Sequence, residues 1–299
     1  MKWFLLCLSC FVANARAELN VVASLPDFGA IAEAIGGKAV KVTTIARGSE
    51  DPHFVDARPS FVRVLNKADL LIEGGAELEM GWLPTLVNAA RNEKLQGTGP
   101  GHLVLSKYMK LLDVPAGAVD RSMGDVHAAG NPHYWLDPRN GIVIAGQIAD
   151  ALTQLDAKNA ALFRQNLADF SAKLNAKWPE WQKKMEPLRG TKIITYHKSF
   201  EYLASAFGME VFGQLEPKPG IEPTPSHINQ LVQNAKNAGV KLVVIEPFRP
   251  RRQAEQVSKA IDARVVVLPD KTGSTPEAKD YISLFDSIVN KLTAEAAAK

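Results

Sequence analysis

The sequence has 299 residues, of which 46% are hydrophobic and 22% charged, with a formal net charge of +3. This is ordinary globular composition at a length that suits two domains, each able to bury a core of its own. The small charge and the scatter of Lys and Arg exclude a phosphate-binding patch, and with it a nucleic-acid partner.

Residues 1–17 read as a secretory signal peptide. Lys2 supplies the positive start and Trp3 to Ala13 the short apolar stretch. Ala15-Arg16-Ala17 is the small-x-small cleavage site, so the mature chain is expected to begin at Glu18 with a net charge of about +1. The apolar stretch is too short to span a bilayer. Both cysteines, Cys7 and Cys10, fall in this leader. The mature protein can then form no disulfide, and any metal site must use His and carboxylate. Leu8-Ser9-Cys10 is a poor and very early lipobox, which points to a periplasmic protein without a lipid anchor.

From Leu19 onward the chain alternates strand and helix patterns. Leu19–Leu25 is apolar and β-branched, and Phe28–Ile35 has helical spacing stopped by Gly36-Gly37. Lys41–Ala46 reads as a strand, Pro59–Lys67 as a helix, Asp69–Glu73 as a buried strand and Met80–Arg91 as a helix. Residues 113–132 are rich in Gly, Ala, Asp and Pro and read as a loop. Ala157–Met185 then keeps helical periodicity over some eight turns, with Leu162, Leu167, Phe170 and Leu174 near one face and a kink expected at Pro179. At ~1.5 Å per residue this element is roughly 40 Å long, enough to join two domains stiffly.

The second half repeats the first. Strands are expected at Lys192–Tyr196, Met209–Leu215, Lys241–Ile245 and Arg264–Leu268. Helices are expected at Phe200–Phe207, from a Ser226 cap to Ala238, at Arg251–Ala263 and at Glu277–Ala297. The fold class is therefore α/β: two lobes, each a parallel sheet flanked by helices, joined by one long spine helix. The expected division is a leader 1–17, an N-terminal lobe 18–156, the spine 157–186 and a C-terminal lobe 187–299.

Of the six histidines, His53 and His197 follow strands, one in each half, and His133 precedes a helix in Asn131-Pro132-His133-Tyr134-Trp135-Leu136-Asp137-Pro138. Asp270 also follows a strand. Ligands of open α/β sheets bind outside the carboxyl ends of the strands, so two residues from each half can converge on the cleft between lobes. Three imidazoles and one carboxylate make a tetrahedral shell that zinc accepts well. Any one of these histidines alone would read as a hydrogen-bonded core or surface residue.

These segments carry a resemblance. Asp51-Pro52-His53 with Arg58-Pro59-Ser60, Lys67-Ala68-Asp69-Leu70-Leu71, the proline-histidine-x-tryptophan-x-aspartate-proline segment around His133, Tyr196-His197 and Glu222-Pro223-Thr224-Pro225 together resemble the zinc- and manganese-binding subunits of bacterial ABC importers, the group with a long backbone helix. The resemblance covers the whole mature chain. It implies that His53, His133 and His197 ligate the metal, with Asp270 as the fourth ligand on a looser local match. It also implies that a histidine at the third position goes with Zn2+ and a glutamate with manganese, and that the partners are an inner-membrane permease and its ATPase, served by a monomeric periplasmic carrier. Chemistry agrees, since imidazole suits zinc and oxygen ligands suit manganese.

Other residues are read beside this set. The region Val114 to Gly130 is short for the histidine-rich loop of zinc-binding relatives. Asp120 and Asp125 read as solvated, and His127 is balanced between a zinc-gathering ligand and a surface residue. His102 reads as a surface or strand-edge residue and His227 as part of a helix cap. Glu50 and Asp51 read as solvated acids, either of which could replace Asp270. Glu246 is expected to accept a ligand histidine's other N–H. Trp135 and Tyr196 are expected to pack around the site. The alternative within the same class is the binding subunit of a manganese or iron importer; two competing classes are a zinc hydrolase, which the sequence supports with no HExxH helix, nucleophile elbow or Gly-rich phosphate loop, and a surface adhesin.

Overall fold

The computed structural model describes residues 18–97, 99–117, 124 and 127–297. The expected signal peptide, Asp120 and Asp125 lie outside them. Strand β1 (Leu19–Ala23), helix α1 (Pro26–Gly36), β2 (Val40–Thr44), α2 (Pro59–Asn66), β3 (Leu70–Glu73), α3 (Leu83–Ala90) and β4 (His102–Val104) build the first lobe. Helices α4 (Asn140–Leu155) and α5 (Ala160–Met185) follow. The second lobe contains β5 (Lys192–Thr195), α6 (Glu201–Phe207), β6 (Glu210–Gln214), α7 (Pro225–Lys236), β7 (Leu242–Ile245), α8 (Arg251–Ile261), β8 (Arg264–Val267) and α9 (Tyr281–Ala297).

Both sheets are parallel and share one topology, β2-β1-β3-β4 in the first lobe and β6-β5-β7-β8 in the second. The central strands β3, β5 and β7 are largely buried on both faces and read as short apolar runs, whereas the edge strands β2 and β6 are partly exposed. The side chains divide by period two. Val21, Ala23, Leu70, Ile72, Leu242 and Val244 face one inner core that continues from lobe to lobe. Val22 and Leu71 face an outer core under α2 and α3, whereas Ile194, Val243 and Ile245 face another under α7 and α8. The shared inner core includes Phe28, Trp135, Phe163, Trp181, Phe200 and Tyr281, so the lobes are packed as one body.

Helix α5 runs uninterrupted through Pro179 and is ~40 Å long at 1.5 Å per residue. Its buried face is Phe163, Phe170, Leu174, Trp181 and Met185, a spacing that keeps one stripe turned to the core. Leu162, expected on that face, is exposed; Phe163 takes its place one residue on. One further local expectation is corrected. The N-cap of α7 is Thr224, whose Oγ1 accepts the His227 N–H, and Pro225 takes the first helical position. The short edge strand β4 carries no legible period in three residues; it places His102 at the strand edge, as expected, where the ring Nε2–H donates to Glu73 Oε2 on β3 at 2.6 Å.

Among the described residues no helix is long and apolar enough to cross a membrane.

Candidate metal centre

The carboxyl ends of the two sheets face each other across the cleft, and three loops there each deliver one histidine. His53 lies between β2 and α2, in a loop pinned by the Trp82 indole N–H donating to the Pro52 carbonyl at 3.0 Å. His133 begins the 3-10 turn Tyr134–Leu136. That turn is tied to the first lobe by the Tyr134 hydroxyl donating to the Gly74 carbonyl at 2.8 Å. It is tied to the second by Trp135 Nε1–H donating to the Asp270 carbonyl at 2.9 Å and by the Tyr281 hydroxyl donating to the Trp135 carbonyl at 2.7 Å. His197 stands two residues past the end of β5.

The three rings form a nearly equilateral triangle, with centroids 5.1, 5.3 and 5.3 Å apart. One nitrogen of each lies within 4.8 Å of the others, and all three residues are buried. Each ring has an oxygen on Nδ1. His53 Nδ1–H donates to Asp51 Oδ1 at 2.8 Å, His133 Nδ1–H to Asn131 Oδ1 at 2.9 Å and His197 Nδ1–H to Glu216 Oε2 at 2.6 Å. An acceptor on Nδ1 fixes the tautomer and leaves the Nε2 lone pair free to ligate. The Asn131 amide is itself oriented by its Nδ2 donating to the Lys198 carbonyl at 2.9 Å.

Behind the rings lies Arg249. Its guanidinium is 3.1 Å from Asp51 and 3.4 Å from Glu216, so one cation from the second lobe spans the carboxylates that orient His53 and His197. It also lies over the rings of Tyr196 and Phe248, at 5.1 and 5.2 Å from their centres. Burial alone would raise the Asp51 pKa, but the hydrogen bond from His53 and the charge of Arg249 hold it well below the usual carboxylate range. Asp51 is thus the partner of His53 and not a solvated acid, while Glu50 accepts the Arg47 N–H locally at 2.7 Å. The carboxylate expected behind a ligand histidine is Glu216, not Glu246. Glu246 takes the Ser199 hydroxyl at 2.5 Å, and burial pushes its pKa up to about 7. Glu216 and Arg249 gave no signal in the sequence, because they reach the site only through the pairing of β6 and β7 with β5.

Two residues flank the trio. Asp270 is buried in the loop after β8 but stands outside the set of mutually close ligand atoms. Its Oδ2 accepts from Lys271 Nζ at 2.5 Å, and burial raises its pKa against the opposing charge of Lys271. His127 is at the site: its Nε2 is 3.3 Å from Nε2 of His53, with the rings stacked at 5.4 Å. The loops that carry His53 and Asp270 meet backbone to backbone. A Cβ on Gly48 would fall 2.2 Å from the Gly273 carbonyl carbon, and Gly273 itself has φ of +75°, so both positions require glycine.

Burial and mutual repulsion set the electrostatics. The pKa of His133 is lowered well below that of free histidine, by burial first and then by His197 and His53. Burial also lowers that of His197, against the opposing pull of Glu216. His127 is lowered to about 3 by burial, His53 and His197. A cluster of buried imidazoles, with protonation disfavoured at His133, His197 and His127, is a receptor for a divalent cation of borderline softness.

A sequence profile of the family described as ZnuA, zinc-uptake complex component A, periplasmic, matches residues 21–295. The chain belongs to this family. Its members are substrate-binding proteins of metal ABC transporters and not enzymes, which sets aside the hydrolase reading. The ZnuA-family chain is 26% identical to the metal ABC transporter substrate-binding lipoprotein ScbA of Streptococcus cristatus, over 96% of this chain and 91% of that one. It is 28% identical to the iron ABC transporter substrate-binding lipoprotein MtsA of Streptococcus pyogenes, over 85% and 80%. A crystal structure of ZnuA superposes with a TM-score of 0.77 at 24% identity, covering 93% of this chain and 99% of that one, and so shares the fold.

Proposed function

We propose that this metal-binding subunit of an ABC importer carries Zn2+. In this reading it works as a monomer in the periplasm, free of a lipid anchor after cleavage behind Ala17, and hands its cargo to an inner-membrane permease driven by an ATPase. His53, His133 and His197 hold the ion through Nε2, and Asp270 supplies the fourth donor. The observation that carries this is the locking of all three Nδ1 atoms by oxygen acceptors, which commits three nitrogen lone pairs to one point. Nitrogen-rich, four-coordinate surroundings suit zinc, whereas manganese favours more oxygen. Relatives named for iron or for metal in general make this selectivity worth measuring directly.

Native mass spectrometry of the mature chain with zinc and manganese in competition should show one zinc retained per chain. Preferential retention of manganese would overturn the assignment. A second reading follows from the 3.3 Å approach of His127 to His53: His127, and not Asp270, completes the shell. X-ray absorption distinguishes the two: with Asp270 as the fourth ligand the parent and H127A both show three imidazoles, whereas with His127 the parent shows four and H127A three.

The pH dependence follows from the lowered histidine pKa values. Zinc binds neutral imidazole and competes with protons only below the pKa of the metal-free protein. Because His133 and His197 are lowered relative to free histidine, protons compete at these two ligands only at lower pH, and most of the fall in zinc affinity should lie below about pH 6.5. Isothermal titration across pH 8 to 5 checks this; a steep loss already between about pH 8 and 7 contradicts it.

A further inference from the structure

Lys271 is a fully buried lysine in the cleft between the lobes. Its ammonium lies 2.5 Å from Asp270 Oδ2 and 4.5 Å from the centre of the Phe248 ring. A buried ammonium is tolerated only with a paired charge, and an aromatic face adds to the attraction. The consequence falls on Asp270. One carboxylate oxygen is taken by an internal cation, while the other, Oδ1, is buried without a hydrogen-bond partner among the described residues.

The loop around this pair is held on both sides. The Asp270 carbonyl accepts from Trp135, and the Thr272 N–H and hydroxyl donate to Asp27 Oδ1 at 3.0 and 2.9 Å. With the Gly48–Gly273 backbone contact, these bonds join the loop to the first lobe. The backbone that presents Asp270 and Lys271 to the cleft is therefore fixed by contacts between the lobes, and the carboxylate itself is held by Lys271.

We propose, on the reading that Asp270 is the fourth ligand, that Lys271 is a residue that determines metal specificity. By occupying Oδ2 it limits Asp270 to a single ligating oxygen and holds the cleft at three nitrogens and one oxygen. Zinc is satisfied by four such donors in a tetrahedron. Manganese favours octahedral, oxygen-rich surroundings, to which a bidentate carboxylate would contribute. Lys271 acts through Asp270 and does not itself touch the ion.

The experiment uses the whole mature chain with zinc or manganese as the probe, in competition titrations and by X-ray absorption. Lys271→Met keeps the apolar stem and frees Oδ2; Lys271→Arg keeps a donor there. The zinc-over-manganese preference should fall by about 10–100-fold in Lys271→Met, as for the loss of other groups that orient a metal ligand, and recover in Lys271→Arg. The number of light-atom neighbours around zinc should rise above four in Lys271→Met. A folded Lys271→Met protein with unchanged preference and coordination number overturns the inference. Zinc-loaded parent protein gives the same decision without a variant: three imidazoles and a single oxygen neighbour support it, and four imidazoles, or five or more neighbours in all, overturn it. Failure of the parent to retain any divalent metal removes the ligand reading itself, and is thereby distinct from retention with unaltered selectivity.

Discussion

Replacing His197 by alanine should weaken zinc binding by about a hundredfold. Zinc sites built from four protein ligands are worth about 10–16 kcal/mol, so one ligand carries ~3 kcal/mol, or roughly a factor of 100 in affinity. The loss should not come from unfolding. Glu216, which His197 leaves behind, still accepts the Gly220 N–H at 2.9 Å and faces Arg249 at 3.4 Å. The variant should therefore melt near the parent temperature without metal, yet lose most of the upward shift that zinc gives the parent through mass action. Competition against a chromogenic chelator measures the affinity. Unchanged zinc affinity would mean that His197 is not a ligand. Glu216→Gln offers a graded comparison: it keeps an acceptor near Nδ1 but removes the charge, and should cost less than His197→Ala.

Trp135→Ala should destabilise the protein more than any substitution in the ligand set. Trp135 is fully buried in the core shared by both lobes. Its ring meets Phe28 edge-on at 6.1 Å, lies 5.2 Å from His133, and its indole N–H holds the Asp270 carbonyl. Truncating a buried tryptophan to alanine costs about 3–5 kcal/mol, a large share of the 5–15 kcal/mol of a typical domain. A fall in melting temperature on the order of 10 °C is expected for a chain of this size. Zinc affinity should drop as well, because the turn that presents His133 and the loop that presents Asp270 lose their common anchor. Denaturant unfolding and zinc titration on the same sample test both parts. A stability loss below about 1 kcal/mol would show that the two lobes do not depend on this side chain.

The alternation of apolar strand runs with amphipathic helices determined the α/β class, the two parallel sheets and the long helix α5. That pattern is local: a strand buried on both faces must be apolar throughout, and a helix on a core must repeat near every 3.6 residues. The three histidines were legible because a strand's carboxyl end is where a ligand site forms in this architecture, and because the segment around His133 is distinctive. What failed locally did so for local reasons. Strand β4 is too short to show a period, and Leu162 and Phe163 are adjacent apolar residues between which periodicity alone does not choose.

The sequence by itself therefore determined the fold class and the three residues that meet in the cleft. Only the tertiary structure decided what stands behind and beside them. Glu216 is an unremarkable acid past an edge strand until β6 pairs with β5 and brings it to His197. Asp51, Arg249 and Glu216 form one charged strap only because the lobes close on each other. His127 reaches His53 from 74 residues away, and Lys271 becomes an internal cation only where Phe248 and Asp270 enclose it. The physical reason is common to all of these. Charge pairing in a buried cleft depends on distances of a few ångströms between residues far apart in the chain, and no periodicity along the sequence encodes such a distance.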